Sequence, residues 1–154
     1  MFYPPQEITT DYIPEHDLND IKQAILNAEL DTSSEIRVHI EETCPGDVMR
    51  RASDVFVELG MDKTVKRNAV LFYLALKNRK FATIPDYGIL EKDTERFWDT
   101  LKMEMLDFFR ENEFSNGLIH GIGRTGEYLR SVFPFDKTLT NELPDEISFG
   151  NSAT

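Results

Sequence analysis

The chain has 154 residues, of which 28 are acidic and 17 basic, and its formal net charge is −11. This length favours one domain, and a content of 40% hydrophobic and 11% aromatic residues can fill a core. The acidic balance argues against nucleic acid or an anionic membrane surface as a partner, because both require a basic face. It is compatible with cation binding and equally with simple solubility.

The cysteine count and the N-terminal sequence indicate the cellular compartment of the protein. Cys44 is the single cysteine, which excludes a disulfide within the chain, and the three histidines are too scattered for a zinc site. The opening MFYPPQEITT lacks the basic start and apolar core of a signal peptide. The longest apolar run, residues 69–76, is far shorter than the roughly 20 residues that cross a bilayer. We therefore predict a soluble, cytoplasmic protein with no direct membrane insertion.

The N-terminal half predicts a helix, a strand and a second helix. Residues 1–13 resemble an irregular arm, and apolar spacing predicts a helix over 14–30. The stretch EIRVHIEE, residues 35–42, alternates apolar and polar side chains, as a strand with one apolar face does. A turn at 44–47 precedes a helix that begins near Val48 and is ended by Gly60.

A hairpin and two further helices complete the predicted domain, 14–134. Residues 69–76 are apolar on both faces, which predicts a central strand parallel to the first one. The turn at 77–80 makes the strand over 81–84 antiparallel. A helix with an apolar stripe over 97–109 follows Gly88, a shorter helix follows over about 115–132, and 135–154 resembles a tail. The predicted fold is α/β, a compact sandwich in which a small mixed sheet, a parallel pair plus an antiparallel hairpin, is covered by about four helices.

Three segments that are distant in the chain converge on one edge of this sheet. If the first two strands are parallel, Glu35 starts beside Asn68, and the hairpin returns Asp86 to the same edge. Two carboxylates, an amide oxygen and the hydroxyls of residues 32–34 would form a cluster of oxygen atoms. Hard cations such as Ca²⁺ and Mg²⁺ prefer oxygen ligands, and Ca²⁺ takes about 6–8 of them. The predicted metal ligands are Glu35, Asn68, Asp86 and, from flanking loops, Asp62 and Glu91.

Structural roles for the same residues remain open alternatives. Glu35 could pair with Arg67, Asp86 could cap the helix that follows it, and Asn68 could satisfy backbone groups at the strand end. Arg67 and Arg124 are candidate phosphate ligands, and ordinary salt bridges explain them too. If the chain is an enzyme, Asp86 and Arg67 are its candidate catalytic residues.

Three other features favour structural explanations. GIGRTG, residues 121–126, matches the dinucleotide fingerprint, but it follows a helical pattern rather than a strand, so we interpret it as the small face of a packed helix. His39 lies on the polar face of the first strand, where a partly covered, hydrogen-bonded histidine is expected. Cys44 has no histidine nearby in the sequence, which argues against a catalytic thiol.

An ordered set of motifs resembles the TPM domain family. The set comprises TSSEIRVHIEE, RNAVLFYLAL with KNRKFA after it, DYGI, the Phe97-Trp98 pair and NELPDEI, and the similarity runs over about residues 18–147. The resemblance implies a compact α/β sandwich. Some members are reported to bind divalent metals, at acidic sites along one edge of the sheet. The resemblance therefore implies such a site here. A plant member is reported as an acid phosphatase, so the resemblance allows that activity as well.

Two departures from the family pattern concern the predicted site. Many relatives have Asn-Gly where the central strand begins, whereas here Ala69 follows Asn68. Many relatives have Gly-Tyr-Gly-Leu-Glu after the hairpin, whereas here Glu91 falls one place later.

The sequence therefore predicts a TPM-like domain that binds Ca²⁺ or Mg²⁺ and has an accessory or regulatory role. Its partner would be an unidentified protein, which the resemblance allows to be membrane-associated. A weak metal-assisted phosphomonoesterase that uses the same acidic edge is one alternative. A plain protein-interaction domain, whose acidic edge is only solvated, is the other.

Overall fold

The sheet is built around the most apolar stretch of the chain. The computed structural model describes residues 13–92, 94–138 and 147–150. Strand β1 (Glu35–Glu41) lies parallel to β2 (Ala69–Ala75), and β2 is antiparallel to β3 (Lys80–Pro85). Every residue of β2 is buried, as expected for a central strand that is covered on both faces. The predicted parallel pair and hairpin are therefore confirmed.

A fourth strand, β4 (Ile147–Phe149), pairs in parallel with β1 and gives the strand order β3-β2-β1-β4. It falls inside 135–154, so the interpretation of that segment as a tail missed a strand. Three residues are too few to show a periodic pattern, and this strand is defined by its burial against β1 instead. The remaining parts of the predicted arm and tail, 1–12, 139–146 and 151–154, lie outside the described residues.

Helices cover both faces of the sheet, and the predicted α/β class is confirmed. The helices in the described part of the chain are α1 (Glu15–Glu29), α2 (Val48–Glu58), the single turn α3 (Tyr87–Leu90), α4 (Glu95–Arg110) and α5 (Phe114–Val132). One apolar cluster joins α1, α4 and α5 to one face of the sheet, and a second joins α2 to the other face. None of these helices has the length and apolarity that crossing a bilayer requires.

The two faces of β1 differ in chemistry, yet both are covered. Ile36, Val38 and Ile40 belong to the cluster under α1, α4 and α5. The alternate side chains point toward α2, and His39 and Glu41 among them are only 5% and 3% exposed. The polar face that the sequence predicted is therefore a buried polar layer beneath α2, the helix that connects β1 to β2.

GIGRTG lies wholly within α5, which confirms the packed-helix interpretation. A Cβ atom on Gly126 would lie 2.8 Å from the Cα of Ala28 in α1, and one on Gly121 would lie 2.5 Å from the sulfur of Met105 in α4. The glycines therefore permit close helix contacts. Arg124 donates from NH1 to both carboxylate oxygens of Glu104, at 3.0 and 3.1 Å, so the salt-bridge alternative holds for this arginine.

Candidate functional site

Glu35 and Asp86 lie at the same edge of the sheet. We call this the amino edge: residues 32–35, 62–68 and 85–88, where β1 and β2 begin and β3 ends. Glu35 is the register partner of Ala69, and the Asp86 backbone N–H donates to the Ala69 carbonyl at 2.9 Å. Two strand spacings therefore separate Glu35 from Asp86, about 10 Å between Cα atoms. Because paired residues share a face, both carboxylates belong to the face that α2 covers.

Asp86 is held by several donors. Arg67 donates to it through two parallel hydrogen bonds, from Nε at 2.8 Å and from NH2 at 2.9 Å, and the Tyr87 backbone N–H donates at 2.7 Å. Asp86 is thus the N-cap of α3, as the structural alternative predicted. These bonds occupy three of the roughly four lone-pair sites of the carboxylate. Asp86 also raises the pKa of Arg67, and Asp62 adds a smaller electrostatic contribution.

Arg67 adopts an unusual backbone conformation. Its φ angle of +51° lies in the left-handed region, which residues other than glycine rarely adopt. Such a conformation persists only where surrounding contacts enforce it, and it is frequent at functional sites. Here the Arg67 carbonyl accepts from the Gly88 N–H at 2.8 Å, and the side chain is paired with Asp86. The amino edge therefore combines backbone strain with a fixed ion pair.

Three buried side-chain oxygens at the amino edge have no hydrogen-bond partner among the described residues. They are Ser34 Oγ, Asp62 Oδ1 and Asn68 Oδ1. Asn68 is 1% exposed, and its amide nitrogen donates to Ser33 Oγ at 3.3 Å, so only the oxygen side is unsatisfied. A buried acceptor without a donor costs about 1–3 kcal/mol relative to a satisfied one. These three oxygens are therefore candidate ligands for an ion or water.

The other predicted contributors have different surroundings. Thr32 is 5% exposed, and its hydroxyl binds the carbonyls of Leu129 and Phe133 at the end of α5. Glu91 is exposed and accepts a hydrogen bond from the Tyr87 phenol, which raises the pKa of that phenol. Among the described residues, no group of three His, Cys, Asp or Glu side chains is arranged to hold a metal. A cation at this edge would therefore depend on amide and hydroxyl oxygens as well as carboxylates.

The opposite edge holds a polar cluster that the sequence did not predict. We call it the Glu41 network: Glu41, Arg51, Tyr73, His39 and Ser148. Arg51 donates to both carboxylate oxygens of Glu41, from Nε at 3.1 Å and from NH2, and the Tyr73 hydroxyl donates to the same carboxylate. His39 Nε2 lies 3.2 Å from Glu41 Oε1, and His39 Nδ1 lies 2.7 Å from Ser148 Oγ. The network therefore connects α2, β2, β1 and β4.

Burial and hydrogen bonding act in opposite directions on Glu41. Burial alone would raise its pKa, but bonds from His39, Arg51 and Tyr73 outweigh burial and lower the pKa from 4.5 to about 2. Burial, the hydrogen bond to Glu41 and a contact with Cys44 raise the pKa of Tyr73. Glu41 is therefore an anion in the folded protein at any ordinary pH.

Ser148, His39 and Glu41 have the connectivity of a catalytic triad, yet their surroundings indicate a structural role. All three are at most 9% exposed, and the Ser148 hydroxyl donates to the Val38 carbonyl at 3.3 Å. Glu41 is already committed to Arg51 and Tyr73. The interpretation of His39 as a covered, hydrogen-bonded histidine is confirmed. Cys44 is also buried, with its thiol directed at the Gly46 carbonyl.

A model of the TPM domain matches residues 8–128, which is well over half of the chain. The chain belongs to the TPM domain family. The resemblance carried by the sequence motifs is thereby confirmed. None of the curated proteins matches this sequence.

Two solved structures share the fold of this TPM domain. The NMR structure of the BA42 protein from the psychrophilic bacterium Bizionia argentinensis has a TM-score of 0.84 and 40% sequence identity, and the match covers 90% of this chain and 96% of that one. The N-terminal domain of the cg2496 protein from Corynebacterium glutamicum has a TM-score of 0.63 at 14% identity, with coverage of 84% and 85%. At that identity the second similarity establishes the fold alone.

Proposed function

We propose that this TPM domain binds a divalent cation, Ca²⁺ or Mg²⁺, at the amino edge and acts as an accessory or regulatory module of a partner protein. The observation that carries the proposal is a set of buried oxygens to which no described residue donates a hydrogen bond: Ser34 Oγ, Asp62 Oδ1 and Asn68 Oδ1. A hard cation accepts such oxygens as ligands, so binding would remove their desolvation cost.

The charge needed for a cation comes from the carboxylates of the same edge. Glu35 is only 5% exposed, which makes it a strong ligand candidate because a buried carboxylate gains most from a nearby cation. Asp62 supplies a second carboxylate. Asp86 keeps about one lone-pair site, because Arg67 and the Tyr87 N–H occupy the other three. Glu91 would contribute only if its bond to Tyr87 were exchanged.

Oxygen ligands alone fit both proposed ions, which differ in what they demand of the site. Ca²⁺ accepts about 6–8 ligands in irregular geometry, whereas Mg²⁺ requires a near-octahedral shell and retains water. A site of few carboxylates with amide and hydroxyl oxygens would bind either ion with modest affinity. Reversible binding of this kind suits a module that binds its partner protein in response to ion concentration. The partner could be soluble or membrane-associated.

Titration with Ca²⁺ and with Mg²⁺, followed by backbone amide NMR signals, tests the site. We expect saturable shifts confined to residues 32–35, 62–68 and 86–91. The variant Glu35→Gln should bind at least about tenfold more weakly, because affinity at oxygen sites follows the number of charged ligands. Asp54→Asn, which removes an exposed carboxylate from α2, is the matched control and should bind like the wild type.

Two results would contradict cation binding at this edge. One is a set of small shifts spread evenly over the acidic surface. The other is an equal loss of affinity in Glu35→Gln and Asp54→Asn. Calorimetry that detects no binding at millimolar Ca²⁺ or Mg²⁺ would instead favour the plain interaction domain.

The phosphomonoesterase remains the rival of another class, with Asp86 and Arg67 as its candidate catalytic residues. A nucleophilic carboxylate must be free to attack, whereas Asp86 accepts three hydrogen bonds. We therefore expect no Mg²⁺-dependent hydrolysis of p-nitrophenyl phosphate above the rate without protein. Metal-dependent hydrolysis that Asp86→Asn abolishes would establish the enzyme in place of the accessory module.

A further inference from the structure

A cleft of about 420 Å³ lies where β3 ends, beside α3 and the first turns of α4. Its lining residues are Pro85, Leu90, Thr94, Glu95, Trp98 and Asp99. The volume falls within the range of about 300–1,000 Å³ that is usual for ligand pockets. Neither the proposed cation site nor the Glu41 network uses Glu95, Trp98 or Asp99.

The apolar part of the cleft is rigid and accessible. The Trp98 indole N–H donates to the Thr94 hydroxyl at 2.9 Å, and the Phe97 ring meets the indole edge-on, with ring centroids 4.8 Å apart. The ring is therefore held in one orientation. Leu90 is 55% exposed at the rim. A fixed aromatic ring beside an exposed aliphatic residue is a typical anchor for a partner side chain.

The charged part of the cleft consists of Glu95 and Asp99, which are exposed and one helical turn apart. Neither carboxylate has an ion pair or a hydrogen bond among the described residues. Two like charges at this spacing destabilise a helix by a few tenths of a kcal/mol. Arg96 and Lys102 are exposed on the same helix but do not line the cleft. The cleft therefore combines an aromatic ring with two uncompensated negative charges.

We propose that this cleft binds a basic segment of a partner protein, with an arginine or lysine beside a large apolar residue. The cation would lie against Trp98 and between Glu95 and Asp99, where cation–π attraction and charge-assisted hydrogen bonds act together. Arginine suits the site better than lysine, because its planar guanidinium stacks on aromatic rings and binds carboxylates in pairs. The net charge of −11 would favour encounters with basic segments.

Trp98 is the sole tryptophan of the chain, so its fluorescence reports directly on the cleft. The probe is a blocked tetrapeptide of alternating leucine and arginine, and its counterpart carries glutamate in place of arginine. We expect the arginine peptide to change the Trp98 emission in a saturable way and to shift the Trp98 indole N–H signal. The glutamate peptide should do neither at the same concentration.

A pair of double variants tests the carboxylates. Glu95→Gln with Asp99→Asn should weaken the arginine peptide at least about tenfold, a loss of about 1.4 kcal/mol. Asp107→Asn with Glu111→Gln removes two exposed carboxylates at the same spacing, from the last turn of α4 and its C-cap, and should leave binding within about twofold of the wild type.

Several results would overturn the proposal. Equal binding of both peptides would show that charge is irrelevant. Equal weakening by the two double variants would show only a general effect of net charge. A Trp98 signal that changes with protein concentration alone would make a second copy of the chain the occupant.

Discussion

Replacing Glu41 by glutamine is expected to lower the free energy of unfolding by about 3 kcal/mol at pH 7. The substitution keeps the shape of the side chain but removes the charge that Arg51, Tyr73 and His39 all contact. Arg51, whose side chain is 36% exposed, would lose most of its compensation, and the amide would direct a donor at other donors. Urea denaturation at pH 7 measures the loss.

Glu42→Gln is the matched control because the two glutamates are neighbours in the chain. Glu42 is half-buried and pairs with Lys77 at 3.5 Å, in a contact open to solvent. Its replacement should cost less than about 1 kcal/mol. If both variants lose the same free energy of unfolding, the buried Glu41 network contributes no more to stability than the solvent-accessible Glu42–Lys77 ion pair does.

The pH dependence of the same comparison provides a second measurement. The folded pKa of Glu41, about 2, lies below its ordinary value of 4.5, so protonation favours the unfolded chain. The contribution of Glu41 is therefore complete above about pH 5 and disappears as the pH falls toward 2. The stability gap between the wild type and Glu41→Gln should narrow over that interval. A gap that stays constant down to pH 2.5 would contradict the low pKa.

The sheet could be predicted from the sequence because its signals are local and periodic. The uninterrupted apolar run of β2 and the alternation in β1 each indicate a strand, and the short turn between β2 and β3 fixes their direction. Strand β4 lacked such a signal, since three residues gain their order only from contact with β1. The prediction failed where structure depends on long-range pairing.

The candidate sites show the same contrast between features that strand direction predicts and features that depend on long-range side-chain contacts. The meeting of Glu35 and Asp86 followed from strand direction alone, whereas the bond of Arg67 to Asp86 depends on side-chain rotamers. The sequence did not predict the Glu41 network, because alternation in β1 indicates one apolar and one polar face and does not show that the polar face is buried. A crossover helix must cover one face of a parallel pair, and Arg51 on α2 supplies the charge that a buried Glu41 needs. The signal in the sequence was an arginine, Arg51, on the helix that covers the polar face of β1, because it can pair with a buried carboxylate there.

Replacing Gly88 by alanine is expected to lower the free energy of unfolding by about 3 kcal/mol. A Cβ atom there would lie 2.2 Å from the Lys66 carbonyl oxygen and 2.7 Å from that of Arg67. Both obstacles are backbone atoms, so no side-chain rotation relieves the contact. To accommodate the new Cβ atom, helix α3 and the segment before β2 must separate. That movement would also break the hydrogen bond from the Gly88 N–H to the Arg67 carbonyl. Urea denaturation would measure the loss, and amide signals of residues 64–68 should shift.

Gly46→Ala separates this steric effect from the general consequences of losing a glycine. A Cβ atom on Gly46 would meet no atom within 4 Å, and its backbone is outside the left-handed region. Alanine there restricts the unfolded chain without straining the folded one, so it should be neutral or stabilise by up to about 1 kcal/mol. Equal stability of the two variants would mean that α3 can move away from residues 66–67 at little cost. In that event the amino edge would be a deformable loop region, and its buried oxygens could reach hydrogen-bond donors without an ion.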